Sequence, residues 1–166
     1  MSDAIDLIAA HWNRERPDVD VTPMAVIGRI TRLAQMLDNE LKKFFNAQGL
    51  EFWEFDVLAT LRRSGGENGL TAGALNSAAM RTSGAITNRV DRLSARGLVT
   101  RAADPNDRRA IRVQLTPEGR ALVDELLPVH MANEQRLLAG LGAGDQAQLA
   151  DLLRALAESM GDTSLN

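Results

Sequence analysis

The residues of this chain that are best suited to bind an anion lie between Arg81 and Arg112. This window, called the basic island below, holds eight arginines and three acids, a net charge of +5, whereas the whole chain carries −3. The rest of the chain therefore carries −8. A solvated surface usually mixes positive and negative charges. A window with a strong net positive charge in an acidic protein therefore indicates binding to a phosphate backbone. The alternative interpretation is a solvated basic face.

Short polar side chains stand at the start of a predicted helix within the basic island. Serine, threonine and asparagine can hydrogen-bond to base edges, and glycine lets the backbone approach closely. We expect four residues there to face the major groove of DNA: Ser83, Gly84, Thr87 and Asn88. Arg92 and Arg96 lie further along the same helix, where they would contact phosphates.

A predicted β-hairpin, or wing, follows this helix. Residues 98–101 and 111–115 are typical of strands, with Asp104-Pro105-Asn106-Asp107 as the turn between them. An arginine at a hairpin tip can enter the narrow, electronegative minor groove, and Arg108 and Arg109 are placed to do so. Asp107 would hold the hairpin or orient an arginine, although an ordinary turn aspartate is the alternative.

The spacing of apolar residues predicts helices on both sides of the basic island. Before the recognition helix we expect helices at 3–15 with Ser2 as N-cap, at about 23–47, from 51 to about 63, and from 71 to about 80 with Thr71 as N-cap. The recognition helix should end at Gly97. After the wing we expect a long helix that begins at Thr116-Pro117 and is kinked at Pro128, and a last helix through Leu149, Leu152, Leu153 and Leu156. The predicted fold is therefore mainly α with a small β wing, a winged helix-turn-helix flanked by N- and C-terminal dimerisation helices. The predicted division is 1–47 (N-terminal and dimerisation helices), 48–115 (winged helix-turn-helix) and 116–166 (C-terminal dimerisation helices).

One winged module reads only a short site, so such proteins usually pair and place two recognition helices about one DNA turn, roughly 34 Å, apart. The long helices outside the basic island each carry a stripe of apolar residues along one face, and these stripes could supply a two-fold homodimer interface. Alternatively, the stripes serve only the core of one protomer.

Composition excludes several other classes of protein. The chain is 45% hydrophobic and has no cysteine, which fits a reducing compartment and rules out disulfides and thiolate zinc sites. It shows no signal peptide and no apolar run long enough to span a membrane, so we expect a cytoplasmic protein without cofactor or metal. No nucleophile elbow, phosphate loop or HExxH motif occurs, and no candidate base accompanies the acids Glu51, Glu54 and Asp56. We therefore expect no enzyme.

Several motifs, in order and spacing, resemble the MarR family of transcriptional regulators. They are Asp91-Arg92-Leu93, Gly97-Leu98-Val99, Arg101, Asp104-Pro105-Asn106-Asp107-Arg108-Arg109 and Leu115-Thr116-Pro117-Glu118-Gly119. The resemblance implies a homodimeric winged helix-turn-helix protein that usually represses a neighbouring gene. It also implies release from a palindromic operator by a small anionic or phenolic ligand.

Three further features are similar to the urate-responsive branch of that family: a tryptophan on an extra N-terminal helix (Trp12), the segment 54–58 and the segment 87–92. This likeness implies a ligand pocket of Trp12, Asp56 and Arg89, with Arg101 supporting the wing. Urate is a flat anion, so an indole can stack on it while an arginine meets its charge. The alternatives are that Trp12 only packs against its own helix as a hydrophobic staple, that Asp56 and Arg89 form a purely structural ion pair, and that Arg89 contacts a phosphate. The alternative function is a winged-helix protein-interaction module without ligand response or specific DNA binding.

Overall fold

The computed structural model describes residues 2–66, 68–79, 86–104 and 110–164. Its elements are α1 (Ala4–Glu15), α2 (Met24–Ala47), α3 (Phe52–Ser64), β1 (Leu70–Thr71), α4 (Ala72–Ala78), α5 (Ile86–Ala95), β2 (Val99–Ala103), β3 (Ile111–Leu115), α6 (Pro117–Leu137) and α7 (Ala143–Ser159). The predicted mainly α fold with a small β wing is confirmed. The chain forms two compact units, residues 1–47 and 48–166. The predicted boundary at residue 115 stays a prediction.

The first unit consists of α1 and α2. The N-cap of α1 is Asp3 and not the predicted Ser2. The Asp3 carboxylate accepts the backbone N–H groups of Ile5 and Asp6, and the Asp6 carboxylate accepts the N–H of Asp3. These bonds satisfy amides that a helix N-terminus leaves without partners. Arg29 of α2 donates to both carboxylates and so ties the two helices together.

The second unit is built on one hydrophobic core. Residues of α3, α4, α5, the sheet and α6, with Leu98 just before β2, form it: Val57, Leu58, Leu61, Leu75, Val90, Leu93, Leu98, Val99, Val113 and Val123. Val90 and Leu93 are the buried residues of α5, and they fix this helix against the rest of the unit. Most polar residues of α5 are consequently exposed.

The sheet has three antiparallel strands in the order β1-β3-β2, one more than the two-stranded wing that we predicted. Leu70 pairs with Val113, and Thr71 pairs with Arg112. Two residues are too few to show an alternating pattern, which is why the sequence did not reveal β1. Gly69 precedes β1 with φ +68°, and a Cβ there would overlap the Val113 carbonyl oxygen, so only glycine fits.

The predicted start of α6 is confirmed. Thr116 caps it by accepting the N–H of Gly119, and Pro117 occupies the first turn. Pro128 lies inside this helix, which continues to Leu137, and the predicted kink stays a prediction. No residue of α7 is buried. Among the described residues, no helix combines the length and apolarity that a membrane span requires.

Candidate nucleic-acid interface

The helix-turn-helix consists of α4 and α5. Thr71 caps α4 through its hydroxyl oxygen, which accepts the N–H of Ala74. Residues 80–85 lie outside the described residues, and with them the predicted base contacts Ser83 and Gly84. Thr87 and Asn88 are exposed in the first turn of α5. They are therefore free of the core, at the end of the helix from which recognition helices contact bases.

The two arginines that we predicted as phosphate contacts are paired with acids at the start of α3. Arg92 Nη2 lies 2.7 Å from Glu51 Oε1, and Arg96 Nη1 lies 2.8 Å from Glu54 Oε2. The pairs differ in burial, because the side chains of Arg92 and Glu51 are 54% and 51% exposed, whereas those of Arg96 and Glu54 are 41% and 3% exposed. The role of both arginines at phosphates stays a prediction.

The Glu54 carboxylate accepts hydrogen bonds from both Arg96 and its own helix N-terminus. Its Oε2 also accepts the backbone N–H of Glu51 at 2.8 Å and so completes the N-terminus of α3. Arg96 in turn donates from Nη2 to the Gly49 carbonyl oxygen at 3.1 Å. The carboxylate and the guanidinium thus each have a second partner, and together they fasten the end of α5 to the start of α3.

Trp53 of α3 contacts two arginines of α5. Its ring centroid is 5.3 Å from the guanidinium carbon of Arg89 and 4.9 Å from that of Arg92, within the range of cation–π attraction. Its indole Nε1–H donates to Glu51 Oε2 at 2.6 Å. The Arg92 guanidinium, and after it the Trp53 N–H, lower the pKa of Glu51 because both stabilise its charged form.

The two remaining described arginines of the basic island, Arg101 and Arg112, stabilise the wing. Arg101 Nη2 on β2 lies 2.6 Å from Asp91 Oδ1 and 3.2 Å from the Thr87 carbonyl oxygen, which joins β2 to α5. Arg112 on β3 pairs with the buried Asp104 at 2.5 Å. Both contacts fit a supporting role for these arginines. The predicted tip residues Asp107, Arg108 and Arg109 lie outside the described residues.

The three predicted ligand residues are placed on three helices. Trp12 is 48% exposed on α1 of the first unit. Asp56 is buried on α3, and Arg89 is half-buried on α5, both in the second unit. Both Asp56 and Arg89 have interaction partners. A pocket formed by all three stays a prediction.

The sequence reasoning missed Trp53 and considered Glu51 and Glu54 only as possible catalytic acids. A signal was present, because residues 51 and 54 share one helix face and residues 89, 92 and 96 share another, with opposite charges. Nothing in the sequence, however, showed that these two faces meet.

Comparison with known proteins identifies the family. The family model described as MarR family matches residues 48–110. The transcriptional regulator PecS of Dickeya dadantii is 38% identical over 146 residues, which cover 88% of this chain and 88% of PecS.

Two solved structures are similar over most of their length. One is BpsR of Bordetella bronchiseptica, whose DNA binding is regulated by 6-hydroxynicotinic acid, with 28% identity and a TM-score of 0.70 over 80% of this chain and 92% of BpsR. The other is a mutant of Escherichia coli MarR in complex with operator DNA, with 27% identity and a TM-score of 0.70 over 93% of this chain and 99% of MarR. Since the likeness to PecS extends over most of both chains and the family model covers the helix-turn-helix and the first strand of the wing, this chain belongs to the MarR family of DNA-binding transcriptional regulators and is not an enzyme.

Proposed function

We propose that this regulator is a homodimeric repressor that binds a palindromic operator and leaves it when a small aromatic anion, such as urate, binds. The observation that carries the DNA-binding part is the exposure of Thr87 and Asn88 at the start of α5, whose opposite face is fixed in the core. In this proposal Ser83, Gly84, Thr87 and Asn88 face bases, and Arg108 and Arg109 face the minor groove. The complex of the similar Escherichia coli MarR with operator DNA supports the binding of an operator.

Exposed apolar side chains support the dimer. On α7, which has no buried residue, Leu152 is 63% exposed, and Leu149 and Leu153 are exposed beside it. On α2, Val26, Ile27, Leu33 and Met36 are exposed as well. Isolated exposed apolar residues are normal, but whole helix faces of them mark surfaces that associate. A second copy of the chain would cover them and bring two recognition helices to the two halves of a palindrome.

The proposed effector site consists of Trp12, Asp56 and Arg89. A buried carboxylate such as Asp56 needs a cationic or hydrogen-bonding partner, and Arg89 is that partner in the proposal. Because Arg89 belongs to α5, an anion that binds its guanidinium acts directly on the recognition helix and can shift it away from its DNA-bound pose. The indole of Trp12 would stack on the aromatic ring of the ligand. Regulation of BpsR by 6-hydroxynicotinic acid, an aromatic carboxylic acid, supports an effector of this class.

Titration of a protein–DNA complex with urate tests the proposal. The complex is formed on the promoter region of the protein's own gene and followed by fluorescence anisotropy. We expect urate to dissociate it at concentrations far below those required of acetate, and Trp12→Ala to abolish this response while DNA affinity is retained. His11→Ala, at an exposed neighbouring position of α1, is the matched control and should respond normally. A normal response of Trp12→Ala would exclude the proposed pocket, and weak, sequence-indifferent binding would exclude a specific operator.

A further inference from the structure

A carboxylate of the protein itself occupies an anion-binding position beside the recognition helix. Glu51 Oε1 accepts a hydrogen bond from Arg92 Nη2 at 2.7 Å, and Glu51 Oε2 accepts one from Trp53 Nε1 at 2.6 Å. A phosphate group offers the same pair of acceptor oxygens on one negatively charged centre. The two donors therefore form a site whose chemistry fits a phosphate as well as it fits Glu51.

The Glu51 carboxylate is replaceable, in contrast to that of Glu54. Both side chains of the Arg92–Glu51 pair are about half exposed, and exposed ion pairs are weak because water and salt screen them. The Glu54 carboxylate is buried and also completes the N-terminus of α3. An incoming anion can thus displace Glu51 without uncovering a buried charge.

The position on α5 suits a backbone phosphate. Asn88 and Arg92 are four residues apart and so share one face of the helix, one turn or about 5–6 Å from each other. Residues in the first turn of a recognition helix contact bases, and residues further along meet the backbone that borders the groove. Arg92 is therefore next to the DNA backbone when Asn88 faces a base.

We propose that Arg92 Nη2 and Trp53 Nε1 form a seat for one DNA backbone phosphate, and that Glu51 is an internal competitor that occupies this seat in the DNA-free protein. The proposal rests on the DNA-binding function and adds Trp53 to the DNA contacts. When a phosphate enters, Glu51 leaves Arg92 and Trp53 and turns into solvent, so the protein must break these contacts of Glu51 before it can hold the phosphate. Glu51 accordingly weakens binding to every DNA sequence alike and makes the protein depend more on its base contacts.

Binding of the full-length protein to a duplex of random sequence, measured by fluorescence anisotropy over a series of salt concentrations, tests the seat. Glu51→Gln should raise DNA affinity about 5- to 10-fold, because Arg92 no longer has to break an ion pair with Glu51 before it contacts the phosphate. The slope of the logarithm of the association constant against the logarithm of the salt concentration should steepen by up to about one per protomer, since the contact of Arg92 with phosphate then releases a DNA counterion with no ion pair lost in exchange. Arg92→Ala should lower affinity by a similar factor and reduce the slope by about one. Trp53→Phe in the Glu51→Gln background keeps the ring over the arginines but removes the N–H, and should lower affinity about 3-fold.

Two controls separate the seat from a general charge effect. Glu125→Gln removes the same charge from an exposed position of α6 and should change affinity less than 2-fold. In the Arg92→Ala background, Glu51→Gln should do no more than Glu125→Gln does. The proposal is overturned if Glu51→Gln and Glu125→Gln change the DNA affinity of the wild-type protein equally. It is also overturned if Glu51→Gln raises affinity as much in the Arg92→Ala background as in the wild-type protein. Trp53 is excluded from the seat if Trp53→Phe binds as tightly as its parent. A wild-type protein that bound no DNA at any salt concentration would overturn the DNA-binding function itself, an outcome distinct from all of these.

Discussion

The Glu54–Arg96 pair, just after the end of α5, should contribute more to the stability of the folded protein than the exposed Glu51–Arg92 pair. Arg96→Ala removes the 2.8 Å contact with Glu54 and the 3.1 Å bond to the Gly49 carbonyl oxygen. It leaves the Glu54 carboxylate, 3% exposed, with the Glu51 N–H as its described donor. Breaking a fully buried ion pair costs about 3–5 kcal/mol. Because Arg96 is partly exposed and water can enter in its place, we expect about 2–3 kcal/mol.

Arg92→Ala is the matched control, since it removes the same side chain one turn earlier from an exposed pair, and should cost about 0–1 kcal/mol. The free energy of unfolding is measured by urea denaturation at one fixed protein concentration, with circular dichroism as the signal. Adding Glu54→Gln to Arg96→Ala should recover about 1 kcal/mol or more relative to additivity, because the uncompensated buried charge is then gone. Equal destabilisation by Arg96→Ala and Arg92→Ala would refute this reasoning.

Three further predictions concern the fold and its dependence on pH. Gly69→Ala should destabilise the protein by more than about 2 kcal/mol, seen as a lower urea midpoint, because its Cβ would overlap the Val113 carbonyl oxygen at a positive φ; a wild-type midpoint would show that β1 can shift. Gly119→Ala should act similarly through overlap with the Leu98 carbonyl oxygen, whereas Gly73→Ala, on α4 with open space around it, should be neutral or slightly stabilising in the same assay. Burial lowers the pKa of His130 in the folded protein below its ordinary value of about 6.5, and Glu134 offsets this in part. The unfolded chain therefore binds more protons, so the stability from the neutral imidazole is present above about pH 6.5 and is lost as pH falls through the lower, folded pKa. His130→Gln should weaken the fall in unfolding free energy between pH 7 and 5, and an unchanged pH dependence would assign that fall to other groups.

Features that depend on residues close in sequence could be predicted. The caps Thr71 and Thr116 were identified correctly because each accepts an N–H three residues away. Gly97 ends the recognition helix as expected, with φ +70°. The order of helices and of the two longer strands followed from apolar spacing and turn residues in the same way. Asp3 caps α1 in place of the predicted Ser2, because its carboxylate accepts the backbone N–H of Asp6 and a hydrogen bond from Arg29 and so stabilises that end more than a hydroxyl one residue earlier.

The sequence by itself determined that this protein has a winged helix-turn-helix and that positive charge is concentrated on it, since both follow from local periodicity and from counting charges. Only the tertiary structure decided how that charge is used. Arg92 and Arg96 contact acids that lie 41 and 42 residues before them in sequence, and Trp53 contacts two arginines, because the hydrophobic core sets α3 beside α5. Packing of that kind depends on side chains far apart along the chain, which no local pattern encodes. For this reason an arginine that the sequence marked only as a phosphate contact proved also to be the partner of a carboxylate.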